Sequence, residues 1–325
     1  MWKLNDPSAN PADAMNTLRR QAVRLLADEI AALTAAPSKL TGKALPSARR
    51  VVRFSVAGEC VGGPAGEAFC GFERRAADRL ESLRETVERP RTLHGELAQV
   101  VEAAKAATIS SDAWFARLNA VAPDFGPPRM DRNGLADGRV YRLVEALSEA
   151  RSRAKLWPCA DSFDTVSAAL LPGLKTLYRR CRAAAIYAAR HPDAPAAKWA
   201  LLDRHTARLA EALRWIEAAW PEGLKPQRKA AGALSRLARA LAHTPALAAA
   251  IPEPGFHDVL KKYRQKTHAE ALRLAHGALA DSPAQWGGFL QRRLDRTGLL
   301  PAAASRPKQQ ASAENRTQAR HALAA

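Results

Sequence analysis

Apolar and polar positions repeat with the period of an α-helix over most of the chain. One clear stripe, at spacings of four, three and four residues, is formed by Leu209, Leu213, Ile216 and Trp220. No stretch of β-branched residues alternates long enough to indicate a sheet. Periodic segments separated by Pro and Gly predict helices at about 11–35, 44–58, 66–89, 91–119, 136–155, 161–190, 197–219, 222–250, 256–280 and 283–297. We therefore expect an all-α protein in which long helices bury their apolar stripes against one another as in a helix bundle.

Composition fits a globular protein and excludes several classes. Of 325 residues, 47% are hydrophobic and 25% are charged, so the chain can bury a substantial core. The first sixteen residues contain no apolar stretch of a secretory signal, and no run reaches the roughly 18 apolar residues of a membrane span. These features predict a cytoplasmic protein without a membrane partner. After Pro301 the sequence becomes small and polar, which predicts a disordered tail at about 299–325.

No pattern of residues indicates an enzyme, a metal site or a cofactor. The four cysteines are scattered without zinc-ligand spacing, and we expect them to be reduced and partly buried. The eight histidines form no pair with a third ligand, and phosphate-binding and nucleophile-elbow motifs are absent from the sequence. We therefore expect a non-enzymatic protein that needs neither a cofactor nor a metal ion.

Basic residues greatly outnumber acidic ones. The chain has 50 Lys and Arg against 32 Asp and Glu, which gives a net charge of +18 at pH 7. Such a charge favours polyanionic partners, and charge alone does not separate nucleic acid, polyphosphate and anionic membrane. The placement of the charge is more specific. On the helix predicted at 161–190, four cations fall within an arc of about 80°: Lys175, Arg179, Arg182 and Arg190. No carboxylate lies between Lys175 and Arg190.

Two further basic runs also contain no acidic residue. The first extends from Lys39 to Arg53 and includes Arg49 and Arg50, and the second contains Lys261, Lys262, Arg264 and Lys266. Like charges at helical spacing repel one another, so an acid-free run favours a bound anion over a merely solvated face. Arg74 with Arg75, Arg151 with Arg153, and Arg292 with Arg293 form smaller clusters that have acidic neighbours.

Several segments resemble a known family. The run WPCADSFDTVSAALLPGLKTLYRRCRAA (157–184) followed by LRWIEAAWPEGLKP (213–226) resembles the second half of a CHAD domain, the conserved histidine α-helical domain. Residues 280–296 are similar to the last helix of that domain, and residues 18–33 to its opening helix. The segment LPSARRVVRF (45–54) stands where the family has V-H-x-x-R-x-x-x-R.

This resemblance implies a fold and a ligand. It implies one domain at 12–298 made of two pseudo-symmetric four-helix bundles, at about 12–156 and 160–298, around a basic groove. It also implies non-enzymatic binding of inorganic polyphosphate and association with polyphosphate granules. Arg49 and Arg53 match the first basic segment, Tyr178 begins a match to Y-R-R-x-R, and Arg204 matches a basic position of the next helix. Together with the basic runs, the predicted binding residues are Arg49, Arg50, Arg53, Lys175, Arg179, Arg180, Arg182, Arg190, Arg204, Lys261, Lys262 and Arg264.

The sequence departs from the family at positions that matter for the ligand. Pro46 and Ala200 replace the two family histidines, and Asp203 stands at a basic position. Two alternatives to polyphosphate binding therefore stay open. The protein is then either a helical scaffold that has lost the ligand site or a non-specific nucleic-acid-binding protein. Single-strand binders usually interleave exposed aromatic residues with basic ones, and with 19 aromatic residues in the whole chain we do not expect that pattern here.

Overall fold

The computed structural model describes residues 11–35, 69, 71–83, 138–157, 166–191, 194–219, 224–250 and 254–296. All regular structure in these segments is α-helical, which confirms the predicted all-α class. Chain order gives α1 (Pro11–Ala35), α2 (71–83), α3 (Gly138–Ala154), α4 (Val166–Arg190), α5 (Ala196–Ala219), α6 (Lys225–Ala250), α7 (Pro254–Ala278) and α8 (Pro283–Arg296). Several predictions lie outside the described residues. They are the helices at 44–58 and 91–119, the tail after 299, and the binding residues Arg49, Arg50 and Arg53.

Helices that follow one another in the second half of the chain also pack against one another. α5 packs most extensively on α6, α6 continues onto α7, and α4 contacts both α5 and α8. In the first half, α1 packs along α3 and also touches α4 and α5. α2 is joined to α3 by the Arg153–Glu73 ion pair and to α5 by the Arg208–Glu81 ion pair.

A single hydrophobic cluster draws side chains from all eight described helices. Leu26 of α1, Leu80 of α2 and Leu147 of α3 belong to the same cluster as Leu213 of α5 and Leu290 of α8. The stripe predicted on α5 is confirmed for its described members, since Leu209, Leu213 and Ile216 are buried. The division into two bundles stays a prediction.

The start of α8 is fixed by a reciprocal cap. The Gln285 backbone N–H donates to Oγ of Ser282 at 3.2 Å, and the Ser282 N–H donates to Oε1 of Gln285 at 2.9 Å. Pro283, with no N–H to leave unpaired, occupies the first helical position. This cap holds the turn that contains Asp281, which is the turn that contacts α4.

Candidate polyanion-binding surface

The basic residues predicted on α4 occupy one side of the helix, opposite its buried side. Leu174, Leu177 and Cys181 are fully buried. Arg179 and Arg190 are exposed, whereas Lys175 and Arg182 are half-buried. Within the described part of the chain, none of these four cations forms an ion pair. We call this set, Lys175, Arg179, Arg182 and Arg190, the α4 basic face.

Tyr178 anchors the helix that carries this face. Its ring stacks on Trp286 of α8 with a centroid separation of 4.5 Å and an interplanar angle of 9°. Its hydroxyl donates to the backbone carbonyl of Asp281 at 3.1 Å. Burial, with the nearby Asp281 charge, raises the pKa of Tyr178 to about 12, whereas the charge of Arg182 opposes the shift. Tyr178 therefore acts as a structural contact between α4 and the turn before α8.

One cation of the face lies against α8, and another has a buried nitrogen without a partner in the described structure. A Cβ added to Gly287 of α8 would lie 2.0 Å from Cε of Lys175, so the lysine side chain passes directly over this glycine. Nε of Arg182 is buried without a hydrogen-bond partner among the described residues. An unsatisfied buried guanidinium N–H is costly, so this nitrogen is an unexplained feature of the face.

Arg180 and Arg204 belong to a different environment, at a buried contact between α2 and α5. Arg180 lies about 100° around the helix from Arg179, and its charge acts on His205 of α5. Nε of Arg204 lies 3.6 Å from Oε2 of Glu81. Both residues were predicted to bind the ligand, and the structure brings them together around His205 rather than onto the α4 basic face.

The centre of this contact is Arg208, which sequence reasoning missed. Its side chain is 2% exposed; Nε donates to Oε2 of Glu81 at 2.9 Å, and Nη2 donates to the same oxygen and to Oδ1 of Asp78, each at 2.6 Å. Burial lowers the pKa of Arg208, but the two carboxylates more than offset this, so its pKa is raised. Burial and the charges of Arg208, Arg180 and Arg204 lower the pKa of His205 to about 4, against a smaller opposing effect of Asp78. His205 is therefore neutral at pH 7.

Of the three positions at which the sequence differs from the CHAD pattern, two lie on α5. Asp203 accepts hydrogen bonds from Ser235 and from Nε of Arg239, the latter at 2.9 Å, and so pairs with α6. The Asp203 carboxylate is therefore paired at the contact between α5 and α6. Ala200 is exposed on α5. Pro46 lies outside the described residues.

The basic run of α7 is spread around its helix. Lys261 and Lys262 are exposed, and Arg264 is half-buried. Consecutive residues differ by about 100° in direction, so the run does not form one face as the α4 cations do. In the segments that the structure describes, these residues form no ion pair.

A second basic surface lies between α1 and α3 and was not predicted as a site. A groove of about 400 Å³ is lined by Arg19, Arg20, Val23, Arg24, Ala27, Arg151 and Lys155. A signal was present in the sequence, because Arg20 with Arg24 and Arg151 with Lys155 are like charges at a spacing of four residues. We call these five cations and the two apolar residues the α1–α3 groove.

No group of His, Cys, Asp and Glu side chains in the described segments could hold a metal ion. Among the helices that the structure describes, none is long and apolar enough to cross a membrane. Compared with known protein families, curated proteins and solved structures, the chain gives no match. The likeness to the CHAD domain therefore remains a prediction from the sequence.

Proposed function

We propose that the protein binds inorganic polyphosphate, without catalysing a reaction on it, through the α4 basic face. The observation that carries this proposal is the row of four cations that lack ion pairs among the described residues. Like charges along one helix face destabilise it unless an anion is present. Arginine and lysine contacts to phosphate oxygens are strong because they are charge-assisted. Association with polyphosphate granules in the cytoplasm would follow from such binding.

The length of the row favours an extended ligand. Arg190 lies fifteen positions after Lys175, which corresponds to about 22 Å along the helix axis at a rise of roughly 1.5 Å per residue. A single small anion cannot span that distance, whereas a linear polyanion can contact every cation in turn. Each contact releases counterions from the polyanion, as in DNA binding, so affinity should depend strongly on salt.

The aromatic residues of α4 favour a ligand without bases. Tyr187 is the large exposed aromatic on this helix. Its ring already stacks on His191 at 4.3 Å and is faced by Nζ of Lys198 at 4.9 Å. Tyr178 is buried against Trp286. Since single-strand binding relies on free aromatic surfaces for base stacking, polyphosphate fits α4 better than single-stranded nucleic acid does.

The test is a competition experiment at physiological salt with matched variants. Labelled long-chain polyphosphate is titrated with the wild type, with R179Q/R182Q, and with a control, R236Q/R273Q, that removes two exposed arginines elsewhere. Losing two charge-assisted contacts should raise the Kd of R179Q/R182Q at least about tenfold. It should also lower the slope of log K against log salt by about 1.5, since each phosphate contact contributes roughly 0.7 to 0.9. The control should stay within about twofold.

The competitors separate the alternatives. Polyphosphate that is displaced poorly by single-stranded DNA and by heparin at equal charge supports the proposal. Displacement by single-stranded DNA and heparin as efficient as by unlabelled polyphosphate, with both double variants weakened alike, contradicts the proposal and indicates generic attraction to a basic protein. Absence of binding to any of the three polyanions also contradicts it, and then favours the scaffold alternative.

A further inference from the structure

The α1–α3 groove gathers five cations around one space. Arg20, Arg24, Arg151 and Lys155 are exposed, and Arg19 is half-buried. Nη1 of Arg19 donates to the backbone carbonyl of Trp157 at 3.5 Å, just past the end of α3. The residues that line the groove include no carboxylate. Within the segments described, none of these cations forms an ion pair.

Helix stability explains only part of this arrangement. Arg151 lies in the last turn of α3, and Lys155 follows directly after it. Cations at a helix C-terminus interact favourably with the helix dipole. Arg20 and Arg24 lie within α1, far from its C-terminus, and their charges repel each other at a spacing of four residues. Their accumulation opposite Arg151 and Lys155 therefore has no stabilising explanation in the fold.

Three acidic residues near these cations in the sequence do not line the groove. Glu149 of α3 pairs with Arg79 of α2 at 3.5 Å. Glu29 of α1 is 1% exposed and so lies in the interior. Asp28 is exposed on α1 but does not line the groove. The positive charge of the groove is thus left without a neutralising carboxylate at its wall.

We infer that the α1–α3 groove is a second anion site, separate from the α4 basic face, which binds a compact ligand carrying several phosphate groups. Its cations on α1 lie within five residues of one another, a span of about 7.5 Å along the axis, against about 22 Å for the α4 row. A volume of about 400 Å³ is within the range of small-molecule sites. Planar guanidinium groups from two helices can each bind phosphate oxygens in a bidentate manner.

The phosphate groups could belong to an inorganic phosphate chain or to a nucleotide, and the lining of the groove allows an experiment to distinguish these two ligands. Val23 and Ala27 provide a small apolar wall beside the cations. A triphosphate without a base uses only the cations, whereas a nucleoside triphosphate can also place its base against this wall. Inorganic tripolyphosphate and ATP are therefore the two probes.

The experiment is isothermal titration of the full chain with each probe at physiological salt. R24Q/R151Q removes one exposed cation from each helix, and R236Q/R273Q is the control of equal charge. We expect R24Q/R151Q to weaken tripolyphosphate binding at least about tenfold. R179Q/R182Q and the control should remain within about twofold. Equal affinity for ATP and tripolyphosphate identifies an inorganic ligand, and tighter ATP binding identifies a nucleotide.

Other outcomes overturn the inference and are distinct from failure of the proposed function. Absence of binding by both probes removes the site, whatever long-chain polyphosphate does. Loss of tripolyphosphate binding in R179Q/R182Q alone assigns the compact ligand to α4 instead. Equal weakening in the control shows only generic charge. Conversely, tripolyphosphate binding can confirm the groove even when R179Q/R182Q has no effect on the binding of long-chain polyphosphate. The two polyphosphates report on different residues.

Discussion

Removing the charge of Glu81 should be among the most damaging single changes at the contact between α2 and α5. The side chains of Glu81 and Arg208 are each 2% exposed, and two nitrogens of Arg208 donate to the same carboxylate oxygen at 2.9 and 2.6 Å. Glu81→Gln keeps the size of the side chain but leaves the guanidinium buried without its main counter-charge. Arg204, 3.6 Å from the same oxygen, loses that partner as well.

The expected loss can be worked from this geometry. Removing one partner of a buried ion pair costs about 3 to 5 kcal/mol, because a buried charge is left uncompensated. Asp78 still accepts from Nη2 of Arg208 at 2.6 Å, and its side chain is 47% exposed, so it compensates partly. We therefore expect about 3 kcal/mol, the lower end of the range. This corresponds to a change of more than about a hundredfold in the unfolding equilibrium.

Urea denaturation followed by circular dichroism at 222 nm measures the effect. Glu149→Gln is the matched control, because its pair with Arg79 is 3.5 Å long and both side chains are at least half exposed. Exposed pairs contribute about 0 to 1 kcal/mol, so this control should unfold close to the wild type. In E81L/R208M apolar groups replace both charges, and most of the stability lost in E81Q should be regained. The reason is that the attraction within a buried ion pair roughly offsets the cost of removing both charges from water.

A free energy of unfolding for E81Q within about 1 kcal/mol of that of the wild type or of E149Q would contradict this prediction. A lower stability of E81L/R208M than of E81Q alone would contradict it as well. The first result would mean that water reaches Arg208, and the second that the ion pair itself carries the stability.

Three further predictions rest on single sites. The pKa of His205 is lowered to about 4 in the folded protein, whereas an unfolded histidine has a pKa of about 6.5. Below about pH 6.5 the unfolded chain therefore binds a proton that the folded protein does not, which favours unfolding. Between pH 7 and 4.5 the free energy of unfolding in urea should fall by about 2 kcal/mol more in the wild type than in H205Q. Gly288→Ala should stabilise the helix by up to about 1 kcal/mol in thermal unfolding. Gly287→Ala should not, because its Cβ would lie 2.0 Å from Cε of Lys175, and adding Lys175→Ala should restore the gain. Burial raises the pKa of Cys181, so in a variant without the other cysteines this thiol should resist Ellman's reagent until urea unfolds the chain.

Helix positions could be predicted from the sequence because they depend on local information. Periodic apolar residues and Pro or Gly boundaries predicted helices at 11–35 and 283–297, and the structure has Pro11–Ala35 and Pro283–Arg296. The Ser282 cap and Pro283 explain why the second boundary is sharp. The same locality explains the α4 basic face, since one helix alone places Lys175, Arg179, Arg182 and Arg190 on a common side.

Contacts between distant segments could not be predicted in the same way. Glu81 and Arg208 are 127 residues apart, so no local pattern reveals that they meet. Arg204, which the sequence match predicts to bind the ligand, lies beside Glu81 at the same contact, and its role in binding stays a prediction. The α1–α3 groove likewise exists only because the folded chain brings Arg24 near Arg151. Which helix faces meet is decided by packing of the whole core, which the pattern of one helix does not specify.

The positions of four described acidic residues help to explain how this basic chain leaves two surfaces without neutralising carboxylates. Carboxylates are used at contacts between helices, where arginines neutralise Glu73, Glu81, Asp203 and Glu217. The cations of the α4 basic face and of the α1–α3 groove are consequently left without acidic partners in the described structure. A polyanion that approaches either surface meets guanidinium groups that need not first be released from an ion pair. Net charge is thus a poor guide to binding: two variants of equal charge should differ in affinity according to which cation they have lost.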